Sequence, residues 1–291
     1  MTSLLFLASY PRSGNTFVRA LLSNYVSGEP APVDLNDLRR FTRGEHDEAI
    51  WRSLTGVALE ARSLEQQWRA RGAYFERLRA KADDSLLVKT HTPNGLVFGA
   101  PAFDIRPADR AIYIVRHPCD VAISRADFCG VPLETAVDQL LTDGFYVRGS
   151  PPHGFEVTGS WRQNVTSWQG ETRCPVLCVR YPDLCRNPLF ELTRMAGFLG
   201  LGVDPARVAQ AVIFSRFEEL QAQEAAHGFS EVSPIAASRR FFRAGRSGQW
   251  PEVMPPALAR RMYDVCGPMI EQMGLDEAVP VEAPRRLQSV G

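Results

Sequence analysis

Short runs of apolar residues alternate along the chain with stretches in which apolar residues recur every three or four positions. The first run, Leu4–Ser9, is continuous and ends at Tyr10-Pro11, a turn signal. Such a run is typical of a strand that is buried on both faces. From Thr16 the apolar residues recur at helical spacing and stop before Gly28, which predicts a helix with a glycine at its C-terminal end.

The same alternation continues further along the chain. Residues 85–90, 111–116 and 175–181 are strand-like, and each is followed by turn residues and a helical pattern. Pro118 suits the first position of the helix that follows the second of these strands. Strands that alternate with helices predict an α/β fold, with a parallel sheet flanked by helices and functional residues at the carboxyl ends of the strands.

The remaining stretches predict the elaborations of this fold. Residues 34–84 are charged and helical in pattern, and residues 255–273 predict a closing helix. Residues 131–152 and 225–249 are irregular, and we predict loops or lids there.

The length, composition and net charge of the chain limit the classes of function that it can have. The chain has 291 residues, of which 45% are hydrophobic and 23% are charged, as in ordinary globular proteins. We predict a single domain over residues 1–279 and a flexible tail at 280–291. Lys and Arg balance Asp and Glu at 33 each, so no overall field attracts nucleic acid or an anionic membrane. Any anion site must therefore be built locally.

The cysteines and the apolar runs favour a cytoplasmic protein. None of the six cysteines forms a C-x-x-C pair or a zinc-ligand pattern, so we predict reduced thiols and no metal site. No apolar run has the length of a transmembrane span, and the first one is too short for a signal peptide.

The turn after the first strand carries the first candidate chemistry. A turn with Gly14 at its apex presents backbone N–H groups and a positive helix end to an anion, and Arg12, Ser13, Asn15 and Thr16 add side-chain donors. The alternative is a tight turn that merely needs its glycine. The G-x-x-x-x-G-K-[ST] pattern of nucleoside triphosphate loops is absent.

The predicted ends of the later strands are cationic. Lys89 and His91 are two residues apart, so they project from the same face of their strand. They pair a cation with an imidazole that can act as a general base near neutral pH, although a hydrogen-bonded structural histidine is the alternative. No predicted strand ends in a carboxylate, which favours an anionic cofactor that is handled without metal.

Six segments taken together, in this order, resemble the sulfotransferases that use 3′-phosphoadenosine 5′-phosphosulfate (PAPS). They are residues 10–17, 87–91, 113–124, 159–161, 180–184 and 242–250. The resemblance implies that PAPS is the co-substrate, that adenosine 3′,5′-bisphosphate is the product, and that no metal takes part. It also implies that Arg12, Lys89 and His91 are catalytic, with His91 as the general base.

The resemblance further implies a set of nucleotide contacts. They are Arg12, Ser13, Gly14, Asn15, Thr16, Phe17, Arg116, Ser124, Tyr181, Ser215, Arg243, Ala244 and Gly245. The chain departs from the cytosolic members at a few of these positions, because Arg12 stands where they usually have Lys, Phe17 where they have Trp, and Ala244 where they have Lys.

The sequence thus predicts a sulfotransferase that acts on a hydroxyl of a small or medium organic acceptor, such as a phenol or a natural-product scaffold. One alternative is a nucleotide-dependent kinase, which the missing loop lysine disfavours. The other is a non-catalytic binder of adenosine 3′,5′-bisphosphate, which would have no use for Lys89 and His91. Monomer and homodimer both stay open.

Overall fold

The computed structural model describes residues 2–45, 47–82, 85–148, 154–231, 240–276 and 281–282. The strands are β1 (Leu4–Ser9), β2 (Thr42–Arg43), β3 (Leu86–Thr90), β4 (Leu96–Val97), β5 (Ala100–Pro101), β6 (Arg110–Val115), β7 (Tyr146–Arg148), β8 (Phe155–Val157), β9 (Val176–Arg180), β10 (Arg246–Ser247) and β11 (Val281–Glu282). The helices are α1 (Asn15–Ser27), α2 (Glu48–Thr55), α3 (Leu64–Arg69), α4 (Arg71–Ala80), α5 (Pro118–Cys129), α6 (Leu133–Leu141), α7 (Trp161–Gln169), α8 (Tyr181–Arg186), α9 (Pro188–Leu199), α10 (Pro205–Phe214), α11 (Phe217–His227), α12 (Trp250–Val253) and α13 (Pro256–Gln272). Two short 3₁₀ helices cover Leu35–Arg40 and Leu59–Ala61.

The central sheet is parallel and has five strands in the order β2-β3-β1-β6-β9. The register of β1 on β3 pairs Leu4 with Leu86 and Ala8 with Thr90. Every residue of β1 is buried, as its continuous apolar run predicts. The prediction of an α/β fold with a parallel sheet and flanking helices is confirmed.

The chain divides into two compact units. Unit 1 contains Met1–Pro11, Thr42–Tyr113 and Gln139–Cys178, and unit 2 contains Arg12–Phe41, Ile114–Asp138 and Val179–Gly291. The core of unit 1 is aromatic, because the ring of Phe6 lies 5.2 Å from that of Phe103 and 5.9 Å from that of Trp168. Tilted and edge-to-face rings of this kind fill the space under a sheet efficiently.

In unit 2, α1 packs against α10 and α13 packs against α5. Gly28 ends α1 with φ 63°, and its N–H donates a hydrogen bond to the carbonyl oxygen of Asn24. The guanidinium of Arg207 donates to the carbonyl oxygens of Tyr25 and Val26 at 2.6 and 3.0 Å. These bonds satisfy the last carbonyls of α1 and place a cation at its negative end.

Some parts of the chain that the sequence pattern predicts as loops form helices or strands in the structure. The prediction of a loop over 131–152 is wrong for α6, whose Ala136, Val137 and Leu140 are fully buried. Strand β2 was not predicted, and it pairs in parallel with β3. In the other predicted loop, 225–249, α11 extends to His227 and β10 forms, while residues 232–239 lie outside the described residues.

Further features concern the tail, the cysteines and the membrane. Within the predicted tail, β11 pairs with β10 in antiparallel fashion, and the rest of 280–291 lies outside the described residues. No disulfide joins the six cysteines, all of which are described. Among the helices that the structure describes, none has both the length and the apolar character needed to cross a bilayer.

Candidate functional site

The turn between β1 and α1 has the geometry of an anion-binding loop. Gly14 has φ 105°, and a Cβ atom there would lie 2.5 Å from the ring of Tyr181, so a larger residue is excluded. The N-cap residue of α1 is Gly14, which has no side chain to cap the helix, and Asn15 and Thr16 of the first turn are buried. The hydroxyl of Ser13 is buried and has no hydrogen-bond partner among the described residues. A buried hydroxyl beside uncapped helix N–H groups suits a bound phosphate or sulfate group.

The side chain of Arg12 lies between two aromatic rings. Its guanidinium carbon is 4.4 Å from the ring centre of Phe128 and 4.3 Å from that of Phe241. Its Nε donates to Ser124 Oγ and its Nη2 to the carbonyl oxygen of Phe241, both at 3.2 Å. Burial, together with the charge of Arg116, lowers the pKa of Arg12 from 12.5 to about 10. Arg12 therefore remains a cation at neutral pH.

Arg116, at the end of β6, lies next to this loop. Its Nη1 donates to the carbonyl oxygen of Arg12 at 3.2 Å, and its Nη2 donates to that of Arg246 at 3.0 Å. Its guanidinium carbon is also 4.5 Å from the ring centre of Tyr181. Arg116 and Ser124 are both predicted nucleotide contacts. In the structure both contact Arg12, Arg116 through the backbone and Ser124 through the side chain.

The late glycine-rich segment contributes the second group of predicted contacts. Arg243 donates to Gln249 Oε1 at 3.0 Å, and its Nε lies 3.7 Å from a carboxylate oxygen of Asp127. Gly245 has φ 59°, and a Cβ atom there would collide with the ring of Phe217, so this position requires glycine. Ala244 is half-buried between them.

Phe17, Tyr181 and Ser215 are the remaining predicted nucleotide contacts, and all are buried. The hydroxyl of Ser215 accepts a hydrogen bond from Asn24 Nδ2 at 3.1 Å, which ties the end of α10 to α1. Burial raises the pKa of Tyr181 well above its usual range. Its hydroxyl is therefore neutral and can serve only as a hydrogen-bonding group.

Sequence reasoning missed Asp120 as a residue of this region. Its carboxylate is fully buried and accepts hydrogen bonds from the backbone N–H groups of Gly248 and Trp250 at 2.6 and 3.0 Å. The signal was available, since Asp120 stands four residues after Arg116 at the start of a predicted helix. Only the fold, however, brings the late segment to this carboxylate.

Lys89 and His91 belong to unit 1, whereas every predicted nucleotide contact belongs to unit 2. The Nδ1 atom of His91 lies 2.8 Å from the carbonyl oxygen of Ser9. The hydroxyl of Ser9 lies 3.2 Å from the same Nδ1 atom. Because a carbonyl oxygen can only accept, its bond requires a proton on Nδ1, which leaves the lone pair of the neutral ring on Nε2. The amide of Asn164 donates to the carbonyl oxygen of His91 at 2.8 Å and fixes the backbone there. Lys89 is half-buried in β3, opposite Leu7 of β1.

The four predicted strands do not end in a carboxylate, but one carboxylate lies near a strand that was not predicted. Glu45 lies two residues after β2, the strand that the sequence did not reveal. Its carboxylate is buried, forms an ion pair with Arg71 at 3.0 Å and accepts a hydrogen bond from the Thr92 hydroxyl at 3.0 Å. Glu45 is thus engaged with a cation. Over the described ranges, no three His, Cys, Asp or Glu side chains cluster as a metal site would require.

Comparison with known proteins identifies the family of this chain. The family model described as a sulfotransferase domain matches residues 3–275. Cytosolic sulfotransferase 16 of Arabidopsis thaliana is 29% identical over 287 residues, which cover 92% of this chain and 76% of that protein. Flavonol 3-sulfotransferase of Flaveria bidentis is 22% identical over 84% of this chain and 75% of its own length. The crystal structure of a mouse sulfotransferase complexed with PAP has a TM-score of 0.54 at 19% identity and covers 92% of this chain and 84% of that one. With a family match over nearly its whole length and the same fold, the chain belongs to the sulfotransferase family.

Proposed function

We propose that this protein transfers the sulfonate group of PAPS to a hydroxyl of a small or medium organic acceptor and releases adenosine 3′,5′-bisphosphate. The observation that carries the proposal is the loop at the start of α1. This loop carries the cation of Arg12, the helix N–H groups that Gly14 leaves uncapped and the unpartnered Ser13 hydroxyl, and the chain is a member of the sulfotransferase family. Fixed donors of this kind stabilise charge on the peripheral and leaving oxygens during an in-line displacement.

The nucleotide contacts in this proposal are those that the resemblance implies. Arg12 and the N–H groups of residues 13–17 would hold the 5′-phosphosulfate, while Arg116, Ser124, Arg243 and the Gly245 N–H would hold the 3′-phosphate. Arginine is suited to this role, because its planar fork binds phosphate oxygens in pairs. Tyr181 and Phe17 offer aromatic faces for the base, and Ser215 and Ala244 complete the pocket in this proposal.

His91 is the general base in this proposal. Its Nε2 lone pair takes the proton of the acceptor hydroxyl as that oxygen forms its bond to sulfur. The bond from sulfur to the bridging phosphate oxygen breaks, and the leaving phosphate keeps the electron pair. The hydrogen bond to the Ser9 carbonyl supports this role, because it keeps the proton on Nδ1 and the base on Nε2. Lys89 supplies a positive charge for the sulfonate oxygens.

The acceptor class is proposed from the relatives. Flavonol 3-sulfotransferase, by its name, acts on a flavonol, and it matches most of this chain. A phenol or a phenolic natural product is therefore the first acceptor class to test. We also propose that the protein works in the cytosol, as the name of the Arabidopsis relative indicates for that protein, and as a monomer or a homodimer without nucleic acid or membrane partners.

The test has a binding arm and an activity arm. In a thermal shift experiment, adenosine 3′,5′-bisphosphate should raise the melting temperature more than ATP with magnesium does, since only a ligand of the native state stabilises it. Stronger stabilisation by ATP would contradict the nucleotide assignment. Labelled PAPS should then sulfate at least one member of a panel of phenols, flavonols and aliphatic alcohols. If the protein binds the nucleotide but the label is released only to water, the proposed transfer to an organic acceptor is contradicted.

A further inference from the structure

One buried carboxylate lies between the two segments that carry the proposed 3′-phosphate contacts. We propose that Asp120 is a positioning residue, which holds the segment 246–250 and the guanidinium of Arg116 in the arrangement that recognises the 3′-phosphate. This inference rests on the proposed function, and it assigns a role to a residue that the resemblance left without one.

The contacts of Asp120 with the late segment use both of its oxygens. Oδ2 accepts from the Gly248 N–H at 2.6 Å and from the Ser247 hydroxyl at 3.4 Å. Oδ1 accepts from the Trp250 N–H at 3.0 Å. A buried carboxylate is stable only when its lone pairs are used, so these donors cannot leave it without a large cost. One side chain therefore sets the backbone path of this segment.

Arg116 contacts the same segment directly and also lies close to Asp120, which binds that segment. Its Nη2 donates to the carbonyl oxygen of Arg246, and its Nε lies 3.9 Å from Asp120 Oδ2. Its Nη1 donates to the carbonyl oxygen of Arg12. The two terminal nitrogens thus donate to backbone carbonyls within unit 2, and Nε faces the carboxylate of Asp120. An arginine that is oriented before the ligand arrives loses little side-chain entropy on binding.

A carboxylate near an anion site would ordinarily weaken anion binding. Asp120 avoids most of this cost, since it lies in the first turn of α5, where a negative charge is favourable. Its oxygens are also occupied by the donors named above. An asparagine could not replace it, because it offers one acceptor oxygen and presents an NH₂ group to a backbone N–H.

The test compares two nucleotides that differ in the 3′-phosphate. Calorimetry should show that the wild type binds adenosine 3′,5′-bisphosphate more tightly than adenosine 5′-monophosphate. In Asp120→Asn the Kd of the bisphosphate should rise by about 10- to 100-fold, as for a misplaced charged partner, with little change for the monophosphate. A merely structural role would weaken the binding of both nucleotides by the same factor and would overturn the inference.

Asp109→Asn is the matched control. Asp109 is also fully buried and accepts hydrogen bonds from the backbone N–H groups of Leu4 and Arg106 and from Arg79, all within unit 1. This variant should lower the melting temperature and leave the preference for the bisphosphate unchanged. If Asp120→Asn does not fold, Ser247→Ala removes one donor and should reduce the preference by about two- to fivefold; an unchanged preference overturns the inference.

The failure of this inference and that of the proposed function give different results. A wild type that binds both nucleotides equally contradicts the 3′-phosphate site itself, and with it the proposed function. A wild type that prefers the bisphosphate, beside an Asp120→Asn variant with the same preference, contradicts only the role of Asp120.

Discussion

His117 leads to a quantitative prediction about stability and pH. Its Nδ1 accepts a hydrogen bond from the Cys119 N–H at 3.2 Å and caps α5, and its Nε2 lies 3.2 Å from the hydroxyl of Tyr263. The ring also stacks on Trp250, with centroids 5.0 Å apart. The proton is therefore on Nε2, and a second proton on Nδ1 would face the Cys119 N–H. These contacts make His117 a structural residue.

Burial of the ring, with a contribution from the charge of Arg116, lowers the pKa of His117 from 6.5 to about 4. The unfolded chain therefore binds this proton at a higher pH than the folded chain does. The free energy of unfolding is therefore highest above the pKa of the unfolded chain, and it decreases as the pH falls from 6.5 towards 4. At about 1.4 kcal/mol for each unit of pKa difference, the loss between about pH 7.5 and about pH 5 is roughly 2 kcal/mol.

The experiment is urea denaturation of the wild type and of His117→Asn at these two pH values. Asparagine keeps an acceptor at the helix N-cap and removes the titration. The variant is expected to be less stable at the higher pH, because it loses the stacking on Trp250. Between the two pH values, the free energy of unfolding of the variant should decrease by roughly 2 kcal/mol less than that of the wild type. Equal losses in the two proteins would refute the assignment of this proton to His117.

Three predictions concern the proposed reaction. His91→Ala should lower the rate of single-turnover transfer by about 10²- to 10⁴-fold, the usual contribution of a positioned base, with unchanged calorimetric affinity for adenosine 3′,5′-bisphosphate; a near-normal rate would remove His91 as the base. Arg116→Ala should weaken that affinity by about 10- to 100-fold, while Arg194→Ala, whose partner is Glu191 on the same helix, should not change it. Equal affinities in these two variants would contradict the 3′-phosphate assignment. Treatment with EDTA should leave the transfer rate unchanged, and a loss that magnesium restores would show that a metal is required.

Helix α6 shows where the sequence held information that was not used. Leu133, Ala136, Val137 and Leu140 recur at helical spacing, and the last three are fully buried. The pattern was hidden because the helix is short and lies between Gly130 and the turn at Gly144. Local periodicity is therefore sufficient to predict this helix.

Strand β2 is a different case, because no local pattern could have revealed it. Two residues, Thr42 and Arg43, are too few to show a period, and they are a strand only because they pair with Leu87 and Val88 of β3. Glu45 therefore lies near a strand end that local pattern does not reveal. Its ion pair with Arg71 is likewise a product of the fold.

The sequence by itself determined the strand–turn–helix at residues 4–28, the alternation of the other sheet strands with helices and the order of the six motifs that define the family. These features follow from residues that are neighbours along the chain, where spacing and turn chemistry act directly. Only the tertiary structure decided the contact of His91 Nδ1 with a carbonyl 82 residues away and the contacts of Asp120, whose Gly248 partner is 128 residues away. Such contacts need side chains and backbone groups from distant segments to meet in a buried place. There an unpaired polar group is too costly to persist, so the partners are selected by burial in the folded chain.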